Sequence, residues 1–233
     1  QAQFVAQRIL ELRDEDVDLS DIAVLYRAHY HAIELQLELS RRGIPYQITS
    51  GIRFFEQAHI KDVTSLIRFV ANPRDEVAFN RMVKLLPGIG NRTAENLWRA
   101  WEGSVVAAGA DRGSEATSAP AGVSDPGYSA ASGYNFGERL LAMNAPAKSK
   151  KSWTQLAHTL DEIAPGGQPN APSDMIRSVV EAIYDDYAKV NFPNYELRRE
   201  DLDQLAMFAR QFKDVHEFLS QLALISNVDA EAA

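Results

Sequence analysis

KLLPGIGNRTAENLW (Lys84–Trp98) is the stretch on which the reading of this chain turns. Pro87 opens a corner, Gly88 and Gly90 allow a tight, partly left-handed turn without side chains in the way, and Asn91 begins an apolar-periodic helix. Such a corner leaves backbone N–H groups exposed at the N-terminus of the second helix, where partial positive charge collects, and so forms an anion site. Ile89 can turn inward and lock the turn onto the two helices, while Asn91, Arg92 and Thr93 extend the donor set. Lys84 and Arg81 lie about one turn apart on the preceding helix and could flank the same phosphate path. A site of this kind grips nucleic-acid backbone and carries little base information. The competing reading is a structural helix corner with no ligand, because Gly-x-Gly alone is common.

Around this segment the periodicity predicts helices over 75–86 and 91–101. Ile60, Val63, Leu66, Ile67 and Val70 form the apolar face of a helix before them, and Asn72-Pro73 closes it because proline restricts the residue it follows. Further upstream, Phe4, Val5, Ile9 and Leu12 are spaced as one helix face, and Asp14 to Asp18 ends it. Ile22–Tyr26 (IAVLY) reads as a buried strand, His31–Arg42 as an amphipathic helix stopped by Gly43, and Tyr46–Thr49 as a second strand. Strand, helix and strand in that order imply a parallel pair with its crossover helix, and the rest of such a sheet is expected outside this chain. Downstream, Gly103–Gly133 is rich in Gly, Ala, Ser, Thr and Pro and reads as a mobile insertion. Helices resume around Ser152–Ile163, Ser173–Val190, Asp201–Phe212 and Val215–Ile225. Lys148, Lys150 and Lys151 follow the insertion and could meet a phosphate loosely.

The totals bound the chemistry. A chain of 233 residues with 45% hydrophobic content can bury one or two cores without disulfides. The absence of cysteine removes disulfide scaffolds, thiol catalysis and thiolate metal sites together. The net charge of -8 argues against a protein coated with nucleic acid, so DNA contact is expected to be confined to a patch. No apolar run approaches the roughly 20 residues that span a bilayer, and no basic region leads into an apolar one at the start, so a cytoplasmic location is expected without a membrane partner. The chain does not begin with methionine, so its natural start is expected upstream or removed. The histidines lack the accompanying pattern of a zinc site. Asp161-Glu162 and Asp185-Asp186 point in different directions on a helix and read as solvated faces. Trp98 and Trp101 read as packing residues.

Lys84–Trp98 resembles the helix-hairpin-helix element of DNA-binding proteins. Read with DIAVLYRAHYHAIELQLELSRRGIPYQI (Asp21–Ile48), SGIRFFEQAHIKD (Ser50–Asp62) and SLIRFVANPRDEVAFNRMVKLLPGIGNRT (Ser65–Thr93), it resembles the second motor half of the UvrD/PcrA/Rep-type superfamily 1 DNA helicases. The weaker ELRREDLDQLAMFARQF (Glu196–Phe212) resembles the stretch by which the inserted helical domain returns to the motor. The resemblance implies a mainly α chain: residues 1–71 as an incomplete parallel α/β part of motor domain 2A, then 72–229 as an all-helical accessory domain 2B. In the family the motor domains close on ATP and step 3' to 5' along single-stranded DNA, while 2B holds the duplex and regulates unwinding. The duplex-backbone contact then falls on Gly88, Ile89, Gly90 and Thr93. The single-strand contact falls on Arg27, with His29 where many members carry asparagine and Ile33 in place of a following arginine. Phe54 and Phe55 fit the family pattern and read mainly as packing between 2A and 2B, while Lys61 and Asp62 read as mostly structural. His59 replaces a common glutamate, and Pro87 a basic residue.

No Gly-rich loop ending in Gly-Lys-Ser/Thr is present, nor an acidic strand-end pair for magnesium. ATP and Mg²⁺ are therefore expected in a full-length parent and not in this fragment, which should neither hydrolyse ATP nor unwind DNA unaided. The expected partners are duplex DNA at the hairpin, single-stranded DNA at the 2A part, domains 1A, 1B and the rest of 2A, and repair or transcription proteins. Two other classes compete: a stand-alone helix-hairpin-helix module of a repair protein, and a helical protein-interaction domain. A Gly-Lys-Thr loop upstream in the full gene would decide for the helicase fragment.

Overall fold

The structure, a computed structural model, describes residues 1–26, 32–47, 54–110 and 135–227. Helices α1 (Ala2–Asp14) and α2 (Ile33–Arg41) pack on each other around Ala6, Ile9, Leu35, Leu39 and Ile44. Between and after them, Ile22–Tyr26 and Ile44–Gln47 run without ladder partners, and no strand forms among the described residues. The expected parallel pair is thus not present there. Ile22 has extended backbone, but two isolated parallel strands gain too little from pairing to make a sheet. Val24 and Leu25 are left exposed, Leu25 almost completely, beside a groove of about 700 Å³ walled by Ile9, Leu35 and Tyr46.

A second, larger core is built around α3 (Ala58–Ala71), whose residues are buried on nearly every side. Helices α4 (Glu76–Val83), α8 (Pro172–Val179), α10 (Tyr195–Ala209) and α11 (Val215–Asn227) all pack on it. A helix surrounded in this way must satisfy its polar groups internally. Thr64 Oγ1 donates to the Ile60 carbonyl at 2.7 Å and Ser65 Oγ to that of Asp62 at 2.6 Å. Buried His59 lies 3.1 Å from Asp201 through Nε2 and 3.2 Å from Arg198 through Nδ1, which ties α3 to α10. Arginine can only donate, so Nδ1 accepts and Nε2 carries the proton toward Asp201. Phe54 and Phe55 meet edge-to-face at 5.1 Å, and Phe55 reaches Phe208 of α10 at 5.7 Å. Both are core residues.

Asn72 and Pro73 end α3 as the sequence predicts, and Asp75 then caps α4, its side chain accepting from the Ala78 N–H at 2.9 Å. Helix α5 (Asn91–Ala110) is longer than its periodicity suggests. It continues through Gly103 into the region read as insertion, so the first residues of that region are helical; residues 111–134 lie outside the described ones. Trp98 and Trp101 anchor α5: Trp101 stacks with Phe136 and Phe79 and donates from Nε1 to the Pro73 carbonyl at 2.9 Å. Helix α6 (Phe136–Leu141) packs on α7 (Lys150–Ile163). Gly137 permits that approach, because its N–H donates to Asp161 at 2.7 Å and a Cβ there would collide with the same carboxylate. Helix α8 passes through one π turn, Val180–Tyr184, into α9 (Asp185–Asn191). The π turn carries Tyr184 inward, where its hydroxyl donates to Asp62 at 3.3 Å.

Candidate nucleic-acid interface

The corner between α4 and α5 is shaped by where each residue's side chain goes. Leu85, Leu86 and Ile89 are buried in the large core and pin the corner from beneath, while Pro87, Gly88 and Gly90 face solvent. The Ile89 N–H donates to the Leu86 carbonyl at 3.4 Å, closing a four-residue turn with proline second and glycine third. Gly88 has φ +79°, the conformation that a type II turn demands at its third position. Gly90 does not share it: its φ is not positive, and a Cβ there would meet nothing within 4 Å. The left-handed character of the turn therefore rests on Gly88 alone. Gly90 starts α5 through its carbonyl, which accepts from Ala94 at 2.9 Å. The N–H groups of Gly90, Asn91, Arg92 and Thr93 have no acceptor among the described residues.

The cations near this corner divide into bound and unbound. Arg81 is not available to a phosphate, because its Nε donates to Asp62 at 2.7 Å and its NH2 to the Ala58 carbonyl at 3.2 Å. Asp62 titrates above the ordinary carboxylate range: burial raises it more than Arg81, Tyr184 and His59 together lower it. Burial likewise pushes the Tyr184 and Tyr187 hydroxyls up, with the Asp62 charge adding to the shift. By contrast, Lys84 and Arg92 are exposed and make no ion pair among the described residues, with half-buried Thr93 beside Arg92 in sequence.

The chain returns to the corner from an unexpected direction. Fully buried Ser149, just before α7, donates from Oγ to the Pro87 carbonyl at 2.7 Å. Lys148 packs on the turn so closely that a Cβ on Gly88 would lie 3.3 Å from its Cβ. Lys148, Lys150 and Lys151 are exposed. Sequence reasoning placed these lysines in flexible surroundings; the missed signal is Ser149, whose buried hydroxyl needs a partner. A groove of about 1050 Å³ opens beside the corner, lined by Lys84, the turn, Lys151, Glu181, Asp186, Tyr187 and Val190.

Other candidates separate from this place. Arg27 and His29 lie outside the described residues. The acidic pairs are structural and not merely solvated: Asp161 holds Gly137, Glu162 accepts from Ser178 at 2.9 Å, and Asp185 pairs with Arg199. Their partners come from distant parts of the chain, which no local pattern reveals. No group of three or more histidine and carboxylate side chains able to hold a metal occurs among the described residues, and no helix among them is long and apolar enough to cross a membrane.

Fold and site together define a helical protein with a solvent-facing corner of unpaired backbone donors and unpaired cations. Residues 1–106, which include the corner, match the UvrD-like helicase C-terminal domain. It is 40% identical over 96 residues to DNA helicase II of Escherichia coli (strain K12), covering 41% of this chain and 13% of that protein. It is 34% identical over 117 residues to the ATP-dependent DNA helicase UvrD1 of Mycobacterium tuberculosis (strain ATCC 25618 / H37Rv), covering 46% and 15%. With the ATP-dependent DNA helicase PcrA of Bacillus subtilis (strain 168) the identity is 34% over 99 residues, covering 42% and 13%. The chain thus spans a small part of the length of these relatives.

Proposed function

We propose that this chain is the part of an ATP-dependent 3' to 5' DNA helicase that grips the duplex, with residues 1–71 belonging to motor domain 2A and 72–229 to accessory domain 2B. The observation that carries this reading is the corner at Pro87–Gly90. It combines N–H groups without acceptors, a left-handed Gly88, and unpaired Lys84 and Arg92, within the stretch similar to DNA helicases. A duplex phosphate would sit against the Gly90–Thr93 N–H groups, with Thr93 as a further donor and Lys84 or Arg92 supplying charge. Holding the duplex there regulates unwinding by the parent, whose ATP and Mg²⁺ are bound by other domains. The apolar groove beside Val24 and Leu25 suits the remaining motor sheet.

Duplex affinity over a range of salt tests the reading, for wild type, Thr93→Ala, Lys84→Ala and the double variant, with folding followed by thermal melting. Removing either side chain should weaken binding to unrelated duplex sequences about equally, and Lys84→Ala should reduce the salt slope by about one ion. A folded double variant that binds as wild type does, with the same slope, makes the corner structural only.

A further inference from the structure

The second lysine group is the feature that this reading leaves unused. Lys148, Lys150 and Lys151 approach the glycine turn from a segment more than fifty residues downstream, and two contacts hold them there. The Ser149 hydroxyl, fully buried, donates to the Pro87 carbonyl at 2.7 Å, and the Lys148 stem lies over Gly88. A lysine whose aliphatic stem covers a glycine keeps its ammonium in solvent. No carboxylate among the described residues pairs with any of the three, although Arg8, Arg13, Arg42, Arg68, Arg81, Arg199 and Lys189 all have such partners. In a chain of net charge -8, unpaired lysines gathered on one corner are a local field opposite in sign to the whole. Lys151 lines the same groove beside the turn as Lys84, and Glu181 and Asp186 line that groove as well.

We infer that Lys148, Lys150 and Lys151 form a second arm of the duplex-binding surface. This arm takes backbone phosphates next to the one at the glycine turn, and Ser149 acts as the positioning residue that fixes it to Pro87. The inference rests on the duplex-gripping reading of the corner and extends it to residues beyond the stretch similar to the helicase C-terminal domain. Lysine ammonium groups suit this task, since phosphates along a backbone are met by point charges without base preference.

The test measures binding of fluorescein-labelled DNA duplexes of two unrelated sequences over a salt series, using the whole chain. The variants are Lys148→Ala/Lys150→Ala/Lys151→Ala, the same triple to Arg, Ser149→Ala, the corner pair Thr93→Ala/Lys84→Ala, and a charge control, Arg177→Ala/Arg210→Ala/Lys213→Ala. The triple Ala variant should lose about tenfold or more in affinity for both duplexes and flatten the salt slope by about two to three, at roughly 0.9 per phosphate. The triple Arg variant should retain binding, the charge control should lose much less, and Ser149→Ala should weaken affinity while keeping most of the slope. If the corner pair weakens binding and the triple Ala variant does not, the second arm is wrong and the corner reading stands. If the triple Ala variant weakens binding and the corner pair does not, the arm stands and the turn is structural. Equal losses in the triple Ala variant and the charge control overturn the arm, because net charge then explains both.

Discussion

Gly88, at φ +79° beneath the Lys148 side chain, and Gly90, with ordinary φ and open space, carry different constraints two residues apart. A Cβ at Gly88 meets left-handed strain of about 1–2 kcal/mol and a tight approach to Lys148 as well. Gly88→Ala should therefore lower stability by about that amount, whereas Gly90→Ala should stay within about 0.5 kcal/mol. Equilibrium denaturation of the two variants checks the contrast, and equal losses would mean that the turn is not held as described. Asp62 carries a second expectation. Its folded pKa is raised, so the folded state holds the proton more tightly than the unfolded chain does. The associated stability is present below the unfolded pKa of about 3.9 and is lost as pH rises through the folded pKa. The stability of wild type minus that of Asp62→Asn should hence fall from acid toward neutral pH. Paired thermal melts over that range measure it, and a difference that grows with pH would show that Arg81 outweighs burial.

Among the helices, α5 presents the donors of the corner at its first turn and is held by tryptophans further along. Trp101 is fully buried and its indole N–H satisfies the Pro73 carbonyl at the end of α3. Trp101→Phe keeps most of the apolar volume but removes that donor, with an expected cost of about 1–3 kcal/mol in denaturant unfolding. A loss below about 0.5 kcal/mol, the range of neutral surface changes, would mean that water replaces the indole. Elements with strong periodicity or caps were legible in the sequence: α3 with its Asn72-Pro73 stop, α4, the turn, and the inward Ile89. The end of α5 was not, since Gly103 and the small residues after it carry turn composition while the helix simply continues. No strand forms over Ile22–Tyr26 or at Tyr46 and Gln47 among the described residues, residues 48 and 49 lying outside them, because a short apolar run forms a strand only when another strand pairs with it. The seat of the three lysines was equally hidden, since it depends on a buried serine finding a carbonyl far away in sequence. Arg81 misled for the same reason: its spacing from Lys84 suits a phosphate path, but the buried Asp62 claims it.

For the whole molecule, the division of labour follows from what the chain holds. Its large core joins α3 to α11, its basic corner lies at one helix junction, and the sequence contains neither a Gly-Lys-Ser/Thr phosphate loop nor paired strand-end carboxylates for Mg²⁺. Phosphoryl transfer depends on positioning ATP and neutralising charge on its phosphates, and backbone donors at a solvent-facing corner with lysines around them offer no site for the metal. The chain by itself should therefore show no DNA-stimulated ATP hydrolysis, even at DNA concentrations where it is fully bound. The measurement is phosphate release with and without duplex and single-stranded DNA, alongside a mock purification to exclude a contaminating helicase. Turnover that rises with purified chain, is stimulated by DNA and survives that control would require a nucleotide site within these 233 residues. It would also undo the assignment of ATP to other domains, while leaving the duplex-binding tests of the corner to stand or fall separately.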